Sequence, residues 1–81
     1  MHTVLVHIAD SEPIKAEVDE LPSPQDVTVL CRNPRQRTDK DLGMLDEGVT
    51  TVIFPMHRVN YIQVLPRPDE EIEFPMPFRN D

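Results

Sequence analysis

Residues 50–66 read Thr50-Thr51-Val52-Ile53-Phe54-Pro55-Met56-His57-Arg58-Val59-Asn60-Tyr61-Ile62-Gln63-Val64-Leu65-Pro66. Two runs rich in β-branched and aromatic residues flank Pro55-Met56-His57-Arg58, which is too short for an open hairpin loop that begins with proline. A single 3₁₀ turn fits the gap, because such turns connect elements over a few residues. The segment therefore predicts a fourth strand over 49–54, a 3₁₀ turn, and a fifth strand over 59–65.

The rest of the chain extends the same theme. In Thr3-Val4-Leu5-Val6-His7-Ile8-Ala9, the residues Val4, Val6 and Ile8 share one face of a strand. Asp10-Ser11-Glu12-Pro13 supplies turn chemistry. Ile14-Lys15-Ala16-Glu17-Val18-Asp19 then alternates apolar and charged residues, with Ile14, Ala16 and Val18 inward, so the two runs predict a β-hairpin. Two prolines in Leu21-Pro22-Ser23-Pro24 end the pairing. Residues 27–32 predict a third strand whose apolar character suggests burial on both faces or a curled sheet. Its inward residues are expected to be Val27, Val29 and Cys31. Residues 33–48 show neither period and hold both glycines of the chain, Gly43 and Gly48. A single helical turn at Leu42, Met44 and Leu45 is expected to seal the core, and Asp46-Glu47-Gly48 to open the fourth strand.

Five short strands without a helical stripe imply an all-β fold, closed or nearly closed so that few edges are left exposed. The chain divides into a barrel domain over 1–66 and an acidic, proline-rich C-terminal arm over 67–81. In the arm Ile72, Phe74, Met76 and Phe78 recur every second residue between Glu73, Pro75 and Pro77. Its prolines exclude a helix and favour an extended segment with one apolar edge.

The order hairpin, third strand, long loop, then strand–Phe54-Pro55-Met56-His57-Arg58–strand resembles the SH3-like and Sm-like small barrels over residues 3–65. The resemblance implies a five-stranded small barrel. It implies no activity, since folds of this kind host many. Where Sm-like RNA binders carry an Arg-Gly pair, this chain has Met56-His57-Arg58. Where SH3 domains line a groove with aromatics, it has Tyr61, three phenylalanines and no tryptophan.

At 81 residues the chain is short of core, and a domain this small usually needs a disulfide, a metal or a partner. Cys31 is the sole cysteine, which excludes an internal disulfide and fits a reducing, cytoplasmic setting. No apolar run approaches the length of a membrane span, and Met1-His2-Thr3-Val4 lacks the basic start of a secretory signal. His2, His7 and His57 have no metal-ligand spacing, and no Cys-x-x-Cys exists. Asp39-Lys40-Asp41-Leu42-Gly43 fails as a calcium loop, with Gly43 at the fifth position and Met44 at the sixth. No metal or other cofactor is expected.

The net charge is −7, yet Arg32, Arg35, Arg37 and Lys40 form a basic island opposed only by Asp39. Three arginines on a loop stiffened by Pro34 suit carboxylates or phosphates. With His57 and Arg58 at the 3₁₀ turn they are the candidate anion or partner contacts. The plainer reading is a solvated loop that balances an acidic surface. Another is pairing with the acidic 69–73 segment of a second subunit. Cys31 reads as core, because a reactive thiolate needs a cation beside it, and Arg32 points to the opposite face of a strand. Lacking a glycine-rich phosphate loop, a nucleophile elbow or a buried acid–base pair, the chain is not expected to be an enzyme. It reads as a non-catalytic interaction or assembly module, a homo-oligomer built through strand edges or through Ile72, Phe74, Met76 and Phe78. The alternative is a small barrel that binds RNA or single-stranded DNA through Arg32, Arg35, Arg37 and Arg58, a role its acidic charge disfavours.

Overall fold

A computed structural model of the chain describes residues 1–67. Five antiparallel strands curl into a half-barrel: β1 (His2–Ile8), β2 (Ile14–Val18), β3 (Thr28–Gln36), β4 (Thr51–Pro55) and β5 (Val59–Val64). The 3₁₀ helix η1 (Met56–Arg58) joins β4 to β5, as the sequence predicts. The strand order is β4-β3-β2-β1-β5. Both β4 and β5 are therefore edges, and the barrel is half closed rather than sealed. The described residues include no helix long and apolar enough to cross a membrane. The arm residues Ile72, Phe74, Met76 and Phe78 lie outside the described residues.

The expected hairpin forms with His2 opposite Val18 and Val6 opposite Ile14. Its alternation works as a burial code. Val4, Val6, Ile14, Ala16 and Val18 are buried on the concave face, joined by Val29 and Cys31 of β3. Ile8, Phe54, Met56, Val59 and Ile62 pack against this cluster from the rim. Leu5 lies on the other face, opposite Lys15 and Gln63, and is also buried.

The third strand differs from the expectation. It begins at Thr28 and continues to Gln36, through Pro34. Val27 precedes it and is 76% exposed rather than inward. Beyond Arg32 the alternation changes phase at Asn33, whose φ is 52°. Glu17 lies opposite Arg32 and Lys15 opposite Arg35, so three steps on β3 match two on β2. This is a β-bulge, with the extra residue in the left-handed region that asparagine tolerates better than most. The phase change explains how Pro34 follows Cys31 into the buried set while Arg32 and Arg35 share the convex face. A second shift lies between β1 and β5, where Asn60 falls between Tyr61 (opposite His7) and Val59 (opposite Ile8). Bulges raise local twist, and these two curl the sheet.

Two smaller corrections concern the connection to β4. Leu42, Met44 and Leu45 form a turn, not a helical one that seals the core: Leu45 N–H reaches Leu42 O at 3.4 Å, and Met44 is 60% exposed. The Asp46-Glu47-Gly48 turn forms as expected, with Val49 N–H on Asp46 O and Gly48 at φ 87°. The strand after it starts at Thr51, two residues later than expected.

If the bulge sets the phase of β3, Asn33→Val should cost about 1–2 kcal/mol of unfolding free energy, because a β-branched residue resists positive φ. Asn33→Gly should cost less, because it keeps the positive φ and gives up only the Asn33 side-chain hydrogen bond to Glu17. Urea denaturation of the two variants checks this, and equal losses in both would show that backbone conformation at residue 33 is not the constraint.

Candidate functional site

The convex face carries the charged side chains that the hairpin alternation turns away from the core. Arg35 is held on three sides. Its Nη1 and Nη2 donate to Glu17 Oε1 and Oε2 at 3.0 and 2.8 Å, and its Nε donates to Asp39 Oδ1 at 3.1 Å. Nη1 also donates to the Asn33 carbonyl at 2.7 Å, so the bulge itself helps to aim the guanidinium. Lys15 Nζ joins from β2, 3.1 Å from the same Asp39 oxygen. Thr3 Oγ1 donates to Glu17 from β1 at 3.4 Å. Nearer the end of β2, Arg32 makes a forked contact with Asp19, through Nε at 3.0 Å and Nη2 at 2.8 Å.

These pairs set the charge states. The hydrogen bond from Arg35 holds the Glu17 carboxyl below its usual range, against the opposing effect of partial burial. Arg32 does the same for Asp19, and Lys15 followed by Arg35 for Asp39. In return Arg32 and Arg35 are held more firmly protonated by Asp19 and Glu17. The sequence sets Asp39 against the basic island, but it does not point to Glu17 or Asp19 as partners. The cross-strand signal was partly present, since an acid on β2 facing an arginine on β3 is a favourable pair, but the register that joins them depends on Asn33.

The basic island is thus divided. Arg32 and Arg35 spend their donors within the chain, Arg32 toward the Val18 end of the β2–β3 ladder and Arg35 beside its Ile14 end. Arg37 and Arg58 stand at the Ile14 end of the sheet, on either side of the β1–β2 turn. Arg37 lines a concavity of about 400 Å³ with Glu12, Pro13 and Leu42. Arg58 lines another of about 350 Å³ with Ile8, Ile14, Met44 and Phe54. Arg37 and Arg58 thus line different concavities. His57 is exposed on η1 beside Arg58. On β1 and β5, His7 stacks on Tyr61 with ring centroids 4.1 Å apart, and its Nε2 lies 2.8 Å from Gln63 Oε1. Cys31 is fully buried, and burial pushes its thiol pKa up to about 11.

The two edges have a definite polarity. Met56 N–H donates to Val27 O at 2.8 Å and Asn33 N–H to Thr50 O at 2.7 Å. With the register Val29–Phe54 and Cys31–Val52, these bonds turn the backbone groups of Val52 and Phe54 toward β3. Those of Thr51 and Ile53 then face outward, and Pro55 closes the row with no N–H. On β5, Leu65 N–H donates to Thr3 O at 2.9 Å, which turns Tyr61 and Gln63 toward β1 and leaves Ile62 and Val64 facing outward. Beside the β4 edge Leu30 lies opposite Ile53, and both are exposed, at 41% and 59%.

Neither a protein-family model, nor a curated protein, nor a solved structure matches this chain.

Two outcomes follow from the ion pairs and the thiol. Arg35→Met leaves a partly buried Glu17 without its fork, and should lower stability by about 1–2 kcal/mol near neutral pH. Because Arg35 helps to lower the carboxyl pKa values of Glu17 and Asp39 on folding, the wild type keeps this stabilisation above the ordinary values of 4.5 and 3.8. It loses it as the pH falls through the lower folded values. Denaturation curves should therefore show the gap between wild type and Arg35→Met shrinking in acid, and a gap independent of pH would rule out the pair as its source. Cys31 should react with a thiol reagent at neutral pH only as fast as the chain unfolds, and labelling at the rate of a free thiol would contradict its burial.

Proposed function

We propose that this chain is a non-catalytic assembly module that self-associates through the outer edges of β4 and β5. Strand order, with β1 between β2 and β5, and the 3₁₀ link from β4 to β5 support reading it as a small barrel of the SH3-like or Sm-like kind. The observation that carries the proposal is the open half-barrel. Two short rows of backbone donors and acceptors, at Thr51 and Ile53 on one edge and at Ile62 and Val64 on the other, are of equal length. A strand edge left open is a template for another strand. The exposed Leu30–Ile53 pair adds apolar surface beside the first row, where burial against a second copy removes it from water. A chain this small gains from that burial, since its own core rests on a few valines, Ile14, Ala16 and Cys31.

The chemistry of the convex face favours a binding role over catalysis. Its shifted carboxylates owe their shifts to neighbouring cations in exposed or half-buried ion pairs. Acid–base machinery instead rests on desolvated groups in a cleft. Of the arginines that would serve a nucleic-acid reading, Arg32 and Arg35 are engaged by Asp19 and Glu17, and Arg37 and Arg58 line separate concavities. A cytoplasmic setting accords with one cysteine kept as a buried thiol.

Sedimentation of the full chain over a range of concentrations tests the proposal, with Ile53→Pro as the probe. The Ile53 N–H points away from β3, so proline there should block an added strand while sparing the β3–β4 ladder. The wild type should show concentration-dependent association, and Ile53→Pro should shift it to monomer with an unchanged far-ultraviolet spectrum. A wild type that stays monomeric, or a variant that associates equally well, would overturn edge pairing.

A further inference from the structure

We infer that the concavity between the β1–β2 turn and η1 receives the apolar, acidic segment 69–78 of a second copy of this chain. This rests on the self-association reading above and names a surface for it beyond the strand edges.

The pocket of about 350 Å³ is lined by Ile8, Ile14, Met44 and Phe54, together with Arg58. Mostly apolar walls with a few charged groups, here Arg58 and Asp10, are what a ligand site offers. Across the turn, Arg37 and Leu42 line the second concavity of about 400 Å³. Gln36 in its wall bonds the Lys40 carbonyl at 2.8 Å, which places Lys40 nearby. Among the described residues Arg37, Lys40 and Arg58 form no ion pair, unlike Lys15, Arg32 and Arg35. Asp10 and Glu12 share the rim, so an acidic ligand must set its carboxylates on the Arg58 and Arg37 flanks rather than over the turn itself.

The chain's own C-terminal sequence has the matching pattern. Ile72, Phe74, Met76 and Phe78 alternate with Glu73, Pro75 and Pro77, after Asp69-Glu70-Glu71. Large side chains on every second residue suit two adjoining concavities, and the preceding acids suit their cations. Exposed ion pairs contribute little each, so the apolar side chains carry affinity and the charges fix orientation.

A second copy is the occupant because of where the segment departs. Leu65 is bonded to Thr3, at the pole opposite Arg58. Pro66 favours an extended conformation at Leu65, and the described chain ends at residue 67, beyond the end of β5 that lies farthest from the pocket. The η1 end of β4, one of the two proposed assembly edges, borders the pocket through Phe54 and Pro55.

Disulfide trapping in full-length chains tests this. Buried Cys31 does not interfere, so new cysteines act alone. Ser11→Cys places a thiol on the pocket rim, and Met76→Cys one on the segment. Mixing the two variants, one of them isotopically labelled, under a mild oxidant should give a mixed covalent dimer. Adding Arg58→Glu to the Ser11→Cys chain should lower its yield about fivefold. Adding Phe74→Ser to the Met76→Cys chain should lower it about tenfold. A link formed within one chain carrying both cysteines, with no mixed dimer, would overturn the inference in favour of docking on the chain's own barrel. A yield no greater than with Glu20→Cys, at the other end of β2, would overturn it outright. Sedimentation of the same chains under reducing conditions separates the two proposals. Oligomers without trapping leave edge pairing standing and remove this docking, whereas a monomer throughout removes both.

Discussion

The left-handed backbone at Asn33 is the constraint on which most of this structure depends. An uninterrupted β3 would send Asn33 and Arg35 inward after Cys31, and bury an arginine in a core built from valines. One extra residue in β3 resets the alternation. Pro34 enters the buried set, and Arg35 moves to the convex face, where Glu17, Asp39 and the Asn33 carbonyl itself receive it. The bulge also bends β3, and a bent third strand is what lets a five-stranded sheet curl round a small core. A single φ of 52° thereby links the phase of burial, the curvature of the sheet and the placement of charge.

Curvature has a consequence for the edges. The η1 turn is tied to both sides of the sheet, through Met56 N–H on Val27 O and Ala9 N–H on Arg58 O. It anchors β4 and β5 to opposite ends of the strand order, with no further strand on their outer sides among the described residues. Larger folds cover such edges with a helix, a loop or a further strand. Here the charged face lies over β2 and β3, away from the edges, and the residues beside the β4 edge are Leu30 and Ile53. The fold therefore concentrates its solvation in the middle of the sheet and its adhesive potential at the margins, which is the physical basis for reading it as an assembly module.

The arginines show why charge is hard to interpret from order in the chain. Arg32, Arg35 and Arg37 lie within six residues and look like a single basic surface. In three dimensions Arg32 faces Asp19, Arg35 faces Glu17 and Asp39, and Arg37 belongs to the pole beside Pro13. Two of the three are neutralised by acids that are 13 and 18 residues away in sequence. Salt bridges between exposed groups stabilise little one by one. The Glu17–Arg35 fork is the exception, being half-buried and bidentate, and it ties the hairpin to β3 across the bulge.

The sequence by itself determined the elements whose signal is local. Alternation gave the hairpin and its inward set, Val4, Val6, Ile14, Ala16 and Val18, because side-chain direction in a strand repeats every two residues. Proline and a short link gave the 3₁₀ turn, and burial of Cys31 followed from its place on an apolar strand. The tertiary structure decided what depends on register: the extension of β3 through Pro34, the exposure of Val27, the partners of each arginine, and the pole at which Arg58 meets Ile8 and Met44. These were illegible because a bulge changes the phase of every residue beyond it, and its energy lies in cross-strand bonds between segments far apart in the chain.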